Sequence, residues 1–414
     1  MEAPYNLLSI KMPEKDNKID AVDKHSRYIV RVKSPTDLSV TLFTYAENFV
    51  EAAHLITKFI LYAERQEIGK LDTYFFSIAF LYRHCMELGL KAIYFQHIVD
   101  TEKRKQFVKD TRHNLSEILK VMETECDVTR SNEEMTWLRD YFADLSQKDR
   151  ESDSFRYPFH IGWEDDEWGL DGEFVIKRVF QKQTHIDLIK FANKFVAAYE
   201  IVKNWYLREN GESTKWKMLL PTFLEKGGYY YGQSVVGYDY RKYDFYPYTK
   251  AYLETANYLK CYMKKKTDNG DIECKERLFL PMCYLYRNCT ELSLKTIWFE
   301  DTSESFQMKC KMMLDKKHSI EGMWKKIKPF VLKYNRGLEQ AEYIDVIEDY
   351  CVQIHKIDSD ANKFRYPMRN SMQVYFSENK RFDFVQMGDF FEELNNILAG
   401  IDSELNAMNE IDEK

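Results

Sequence analysis

The sequence predicts an all-α protein: two tandem up-and-down helical bundles of four to five helices each, produced by an internal duplication, with a small β-hairpin insertion and a tyrosine-rich connector. Three observations predict it. Glycine (15) and proline (9) are scarce over 414 residues, which favours long helices over many short strands. Apolar residues recur at spacings of three and four. One long segment also occurs twice.

The repeat is read first, because missing one miscalls a fold. FLYRHCMELGLKAIYF at 80–95 and YLYRNCTELSLKTIWF at 284–299 share ten of sixteen positions at an offset of 204. RHNLSEILK at 112–120 is echoed by KHSIEGMWK at 317–325, Asp140-Tyr141 by Asp349-Tyr350, and SFRYP at 154–158 by KFRYP at 363–367. Four landmarks keep their order while the offset drifts by about five residues, which duplication explains most simply.

The elements follow in chain order. Residues 1–39 form a polar N-terminal extension with one strand-like run, RYIVRVK at 27–33. The first bundle spans 40–204. It opens on the helical pattern YAENFVEAAHLITKFI, and its second helix carries a core stripe of Leu81, Cys85, Leu88, Ala92 and Phe95. EEMTWLRDYFADL and HIDLIKFANKFVAAYEIV supply later helices, and HIGWEDDEWGLDGEFVIKR between them reads as a β-hairpin. The connector, 205–242, is rich in Gly and Tyr. Its tyrosines predict an ordered, packed segment, although they could also stack nucleic-acid bases. The second bundle, 243–405, repeats the helices with its stripe at Leu285, Cys289, Leu292, Thr296 and Phe299, and a tail occupies 406–414.

Composition narrows the class. Apolar residues make up 44%, enough for sizeable cores and against wholesale disorder. The net charge of −7 lacks the basic excess of a nonspecific polyanion binder. The eight cysteines form no CxxC pair and read as reduced thiols. No basic-then-apolar leader opens the chain and no apolar window is long enough to span a membrane, so a cytoplasmic protein without a membrane partner is expected.

Candidate site residues come from the repeated landmarks. Arg83, Glu87 and Lys91 lie four apart on one helical face, and Arg287, Glu291 and Lys295 repeat the ladder. Such a ladder is either a solvated ion series contributing about 0.2–0.5 kcal/mol per pair or, since Leu90 and Tyr94 flank it, a covered polar seam or anion site that needs partners. Arg156 and Arg365 sit in the Arg-Tyr-Pro matches, where the proline places them at a helix approach or loop. Each could bind an acidic ligand or a carboxylate of its own bundle, such as Asp149 or Asp153 for Arg156. His113 and His318 each lead into a helix. His84 is replaced by Asn288 in the second copy, against a duplicated catalytic pair there. Glu164-Asp165-Asp166-Glu167 reads as a solvated hairpin tip, since consecutive carboxylates point different ways, and neither metal nor cofactor is expected. GxxxxGK[ST], HExxH, GxSxG and GxGxxG are all absent.

The ordered set Glu87-Leu88-Gly89-Leu90-Lys91, His113-Asn114-Leu115 and Arg156-Tyr157-Pro158 resembles the HEPN superfamily of prokaryotic helical bundles. So does its echo Glu291-Leu292-Ser293-Leu294-Lys295, His318-Ser319-Ile320 and Arg365-Tyr366-Pro367. The resemblance implies one of two behaviours. Many such proteins are metal-independent endoribonucleases of toxin–antitoxin or phage-defence systems with an Arg-x(4–6)-His signature. Others carry the Arg-Tyr-Pro form and bind nucleotides or protein partners such as minimal nucleotidyltransferases. Here the nearest signature is Arg156 to His160, one residue short and interrupted by Pro158, and Arg365 has no histidine near it. The leading expectation is therefore a nucleotide-, RNA- or partner-binding module. Its ligand residues would be Arg83, Lys91, His113, Arg287, Lys295, His318 and Arg365, in a cleft near Arg83, Lys91 and Arg156. The alternatives are a ribonuclease using Arg156 and His160, aided by His84 or His113, or a scaffold. The two copies are expected to form an internal pseudo-dimer, itself capable of forming a homodimer.

Overall fold

The computed structural model describes residues 11–62, 67–127, 131–165, 172–208, 214–238, 243, 245–334 and 338–412. The protein is mostly helical, as predicted. A strand, β1 (Ile29–Val32), leads into two long helices, α1 (Leu38–Tyr62) and α2 (Ile68–His97). Two short helices, α3 (Thr101–Thr111) and α4 (Leu115–Glu125), precede α5 (Asn132–Lys148). The expected hairpin forms from β2 (Phe159–Asp165) and β3 (Gly172–Arg178), paired in antiparallel register from Phe159↔Arg178 to Asp165↔Gly172. Two residues of the acidic run, Asp166 and Glu167, lie outside the described residues. A strand, β4 (Thr184–Asp187), then opens α6 (Leu188–Leu207).

The same order follows after the connector. Strand β5 (Gln233–Val236) leads into α7 (Phe245–Asp268) and α8 (Glu273–Thr296), then α9 (Phe306–Lys316), α10 (Ile320–Tyr334) and α11 (Leu338–Ile357). Strand β6 (Lys380–Asp383) opens α12 (Phe384–Asp412). Each half thus holds six described helices, more than the four to five expected. The extra division falls between α3 and α4 and between α9 and α10. There, Arg112 and Lys317 adopt positive φ (46° and 48°), and Asn114 caps α4 by accepting from the Ser116 and Glu117 amides. Breaks made by charged residues carry no Gly or Pro punctuation, so the sequence pattern hides them.

The two halves exchange strands. β1 pairs antiparallel with β6 at the entry to the second half's last helix, and β5 pairs with β4 at the entry to the first half's last helix. The N-terminal extension lies on the second half: the Ile19 amide donates to Gln353 (3.1 Å), and Asn17 reaches Glu393 (3.1 Å) and the Tyr350 hydroxyl (2.9 Å). The connector buries Trp216 and Phe223, but Tyr229 and Tyr230 are about 60% exposed, so those two tyrosines do not pack as expected.

The core is centred on α2 and α8. Every residue from 73 to 95 and from 278 to 299 is buried, so these helices are enclosed on all sides and not only along the predicted stripes. α1 and α7 each pack against both of them. Phe80 stacks on Tyr284 (4.5 Å), Phe76 on Tyr248 (3.9 Å) and Phe59 on Tyr258 (4.3 Å), joining the halves through aromatic faces. All eight cysteines are free, seven of them buried. No helix among the described residues is long and apolar enough to cross a membrane.

Candidate functional site

Enclosure of α2 decides between the two readings of its charged ladder. Arg83 and Glu87 are fully buried and Lys91 is 4% exposed, so the solvated reading fails and each charge needs a partner. Glu87 supplies most of them. Its Oε2 accepts from Arg83 Nη1 (2.8 Å), and its Oε1 accepts from Lys91 Nζ (2.7 Å) and His113 Nδ1 (3.0 Å). Arg83 Nη2 donates to the His113 carbonyl, and its Nε lies 3.0 Å from Asp149 Oδ2. Asp149 also holds the turn that follows, its Oδ1 accepting from the Asp153 (2.9 Å) and Ser154 (3.0 Å) amides.

The remaining contact comes from the other half. The Tyr366 hydroxyl donates to Glu87 Oε1 at 2.8 Å and lies 3.1 Å from His113 Nδ1, and Lys91 sits over its ring at 5.4 Å. The reciprocal cluster is built alike. Glu291 accepts from Arg287, from Lys295 (2.7 Å) and from His318 (3.0 Å), and the Tyr157 hydroxyl of the first half donates to Glu291 Oε1 at 2.7 Å. Arg287 Nε lies 3.7 Å from Asp358, which likewise caps its turn through the Asn362 and Lys363 amides. Each Arg-Tyr-Pro segment therefore inserts its tyrosine into the other half's cluster.

Protonation follows from this packing. Burial opposes charge on Glu87, but Lys91, His113 and Arg83 together outweigh it and hold the carboxyl well below its usual range. Glu291 is held down in the same way by Lys295, His318 and Arg287. Burial pushes the His113 imidazole down to about 4 against the pull of Glu87. For His318 the attraction of Glu291 is the largest single influence. Burial, Lys295 and Arg156 together still lower it. With Glu87 ionised, His113 Nδ1 must carry the proton it donates, which leaves Nε2 with a free lone pair.

Comparison of the chain with family models, with curated proteins and with solved structures finds no match.

Arg156 and Arg365 are buried, and among the described residues neither meets a carboxylate at ion-pair distance. Arg156 Nε donates to the Ser152 carbonyl (2.6 Å) under the Tyr157 ring. Arg365 lies against the rings of Phe80, Tyr284 and Tyr366. The partners suggested for Arg156 are taken elsewhere: Asp149 pairs with Arg83, and Asp153 Oδ2 lies 3.2 Å from His160 Nδ1, raising that histidine's pKa. No hydrogen bond or ion pair joins Arg156 to His160 among the described residues. The expected grouping of Arg83, Lys91 and Arg156 in one cleft does not form. Arg83 and Arg287 have no exposed surface, and Lys91 faces Arg365-Tyr366 while Arg156 belongs with Lys295. His84 is buried with Nε2 3.1 Å from the Arg365 carbonyl.

The first cluster opens onto a cleft of about 560 Å³. Lys91, His113 and Tyr366 form its inner wall, and Lys109, Arg112 and Arg369, all exposed, stand at its mouth. Arg369 lies over the Tyr375 ring (4.9 Å) and 3.6 Å from Asp360. Sequence reasoning missed these three mouth cations, the crossing role of Tyr366 and Tyr157, the pairing of Asp149 with Arg83, and Asp358. A signal for the aspartates was present: Asp149 and Asp358 each stand seven residues before the arginine of Arg-Tyr-Pro. Among the described residues, no group of His, Cys, Asp and Glu could hold a metal ion.

Proposed function

We propose that the protein is a duplicated, HEPN-like helical chain that binds a phosphate-bearing ligand, a nucleotide or RNA, in the cleft at its first cluster. Charge carries this reading. The buried cluster holds three cations, Arg83, Lys91 and Arg365, against two carboxylates, Glu87 and Asp149. One positive charge is uncompensated behind a cleft whose mouth adds Lys109, Arg112 and Arg369 against Asp360. An anion entering there would be drawn by a field strengthened by low surrounding polarity. The recurring element order and the two matched clusters support duplication, with the tyrosine exchange as the contact expected of an internal pseudo-dimer.

The test is calorimetric titration of the purified chain, in EDTA, with ATP, inorganic phosphate and a short ribo-oligonucleotide. Binding should weaken at least tenfold in Lys109→Ala/Arg369→Ala and fall with added salt. Absence of heat from all three probes, or unchanged affinity in the double variant, overturns the reading.

One observation favours a second reading, metal-independent RNA cleavage. His113 is neutral near pH 7, is oriented by Glu87 and lines the cleft, and among the described residues no hydrogen bond engages its Nε2. This reading takes His113 as the base, because His160 is tied to Asp153. RNA cut in EDTA by the wild type and by His160→Ala, but not by His113→Ala, supports it. RNA left intact by the wild type excludes it.

A further inference from the structure

The two clusters share an interior but differ at the mouth, and the geometry points to one phosphate-bearing ligand per chain, seated at the first cluster and touching both halves. This rests on the binding reading above.

The contacts to the central glutamate correspond one for one. Lys91 to Glu87 and Lys295 to Glu291 are both 2.7 Å, His113 to Glu87 and His318 to Glu291 both 3.0 Å, and Tyr366 to Glu87 and Tyr157 to Glu291 2.8 and 2.7 Å. Both histidines leave about a third of the side chain exposed. If the interior alone bound the ligand, the chain would bind two.

The mouths have diverged. Arg112 and Lys317 both precede the cluster histidine at positive φ, so the backbone there is equivalent and one cation is kept at each mouth. One turn earlier, Lys109 of α3 is matched by Leu314 of α9, an apolar side chain left 44% exposed. Three residues after the inserted tyrosine, Arg369 is matched by His160, which is held by Asp153. Both Arg369 and His160 have an aspartate beside them, Asp360 at 3.6 Å and Asp153 at 3.2 Å, so the mouths differ by a permanent cation replaced with a titratable imidazole and by Lys109 replaced with Leu314.

The segments after Arg-Tyr-Pro differ in the same sense. In the second half the chain turns back at once, with Met368 bridged to Val374, and leaves the 560 Å³ cleft beside it. In the first half the longer β2–β3 hairpin runs out from Tyr157 and is tied to α9. The Phe174 amide donates to Gln307 Oε1 (2.8 Å), and Gln307 Nε2 donates to the Phe174 carbonyl (3.2 Å). The hairpin therefore lies against the start of α9, the helix that carries Leu314.

At the first cluster the cations come from both halves, Lys109 and Arg112 from one and Arg369 from the other. An anion bridging them would link the halves across the same junction that Tyr366 already crosses.

Titration with ATP, repeated with inorganic phosphate and with the oligonucleotide, tests this. The expected result is one site per chain, at least tenfold weaker in Lys109→Ala/Arg369→Ala and changed less than twofold in Lys317→Ala. The substituted residues are exposed, and a melting curve matching the wild type keeps folding out of the comparison. A stoichiometry of two, or equal weakening by Lys317→Ala, overturns the single-site inference while leaving phosphate binding in place. No binding of any probe removes both.

Discussion

Replacing Tyr366 by phenylalanine removes one oxygen and tests whether the halves are locked through their buried charges. The Tyr366 hydroxyl is one of three donors to Glu87 Oε1, with Lys91 at 2.7 Å and His113 at 3.0 Å. Phenylalanine keeps the ring that meets His84 edge-on at 5.0 Å and lies under Lys91, so the loss is confined to the hydroxyl's own bonds: the charge-assisted one to Glu87 and the longer one it accepts from Arg365 Nη2 (3.2 Å). Such bonds contribute about 1.5–3 kcal/mol. Glu87 keeps its other donors, so about 2 kcal/mol is expected. Tyr157→Phe should cost about the same, and the double variant about 4 kcal/mol, because the two hydroxyls share no partner. With an unfolding entropy of about 2.1 cal/mol/K per residue, these losses lower the melting temperature by about 2 °C and about 5 °C if the chain unfolds as one unit. Each hydroxyl belongs to one half and its acceptor to the other, so either single variant should lower the transitions of both halves together. Differential scanning calorimetry reads this directly. A Tyr366→Phe protein within about 0.5 kcal/mol of wild type, or one that destabilises a single half, would refute the argument.

Three further outcomes are expected. The folded His113 pKa of about 4 lies below its unfolded value of about 6.5, so the unfolded chain takes up the proton first. Its contribution to stability is then level above pH 6.5 and lost as pH falls towards 4, and melting curves across that window should flatten in His113→Gln. Asp149→Asn should keep the turn, since an amide oxygen can still accept from the Asp153 and Ser154 amides. It should nonetheless cost about 3–5 kcal/mol by removing a carboxylate from beside buried Arg83, measured by denaturant unfolding against Asp153→Asn as the partly exposed comparison. Gly237→Ala should destabilise by more than about 1 kcal/mol. Gly237 has φ +77°, and a Cβ there would stand 2.4 Å from the Lys182 carbonyl oxygen, whereas Gly69→Ala meets no atom within 4 Å and should be tolerated.

Helical class, the hairpin and the landmark residues were legible because each is a local signal. The repeat of Arg83, Glu87 and Lys91 at Arg287, Glu291 and Lys295, the return of His113 as His318, and the two Arg-Tyr-Pro segments name most of what the clusters contain. Their connections were not legible. A ladder at i, i+4 looks the same on a solvated face as inside a core, and nothing local says that α2 is enclosed all round. Asp149 was read as a partner for Arg156, seven residues away, but pairs with Arg83, sixty-six residues before it.

The sequence by itself determined which residues are charged, which recur and which helices they ride on, because periodicity and repetition are properties of order along the chain. Only the tertiary structure decided that each tyrosine serves the opposite half, that β1 and β5 are exchanged, and that Lys109, Arg112 and Arg369 converge on one cleft. The physical reason lies in distance along the chain. Tyr366 is 279 residues from Glu87, and that contact becomes favourable only after burial of α2 and α8 has excluded water and left Glu87 in need of every donor within reach.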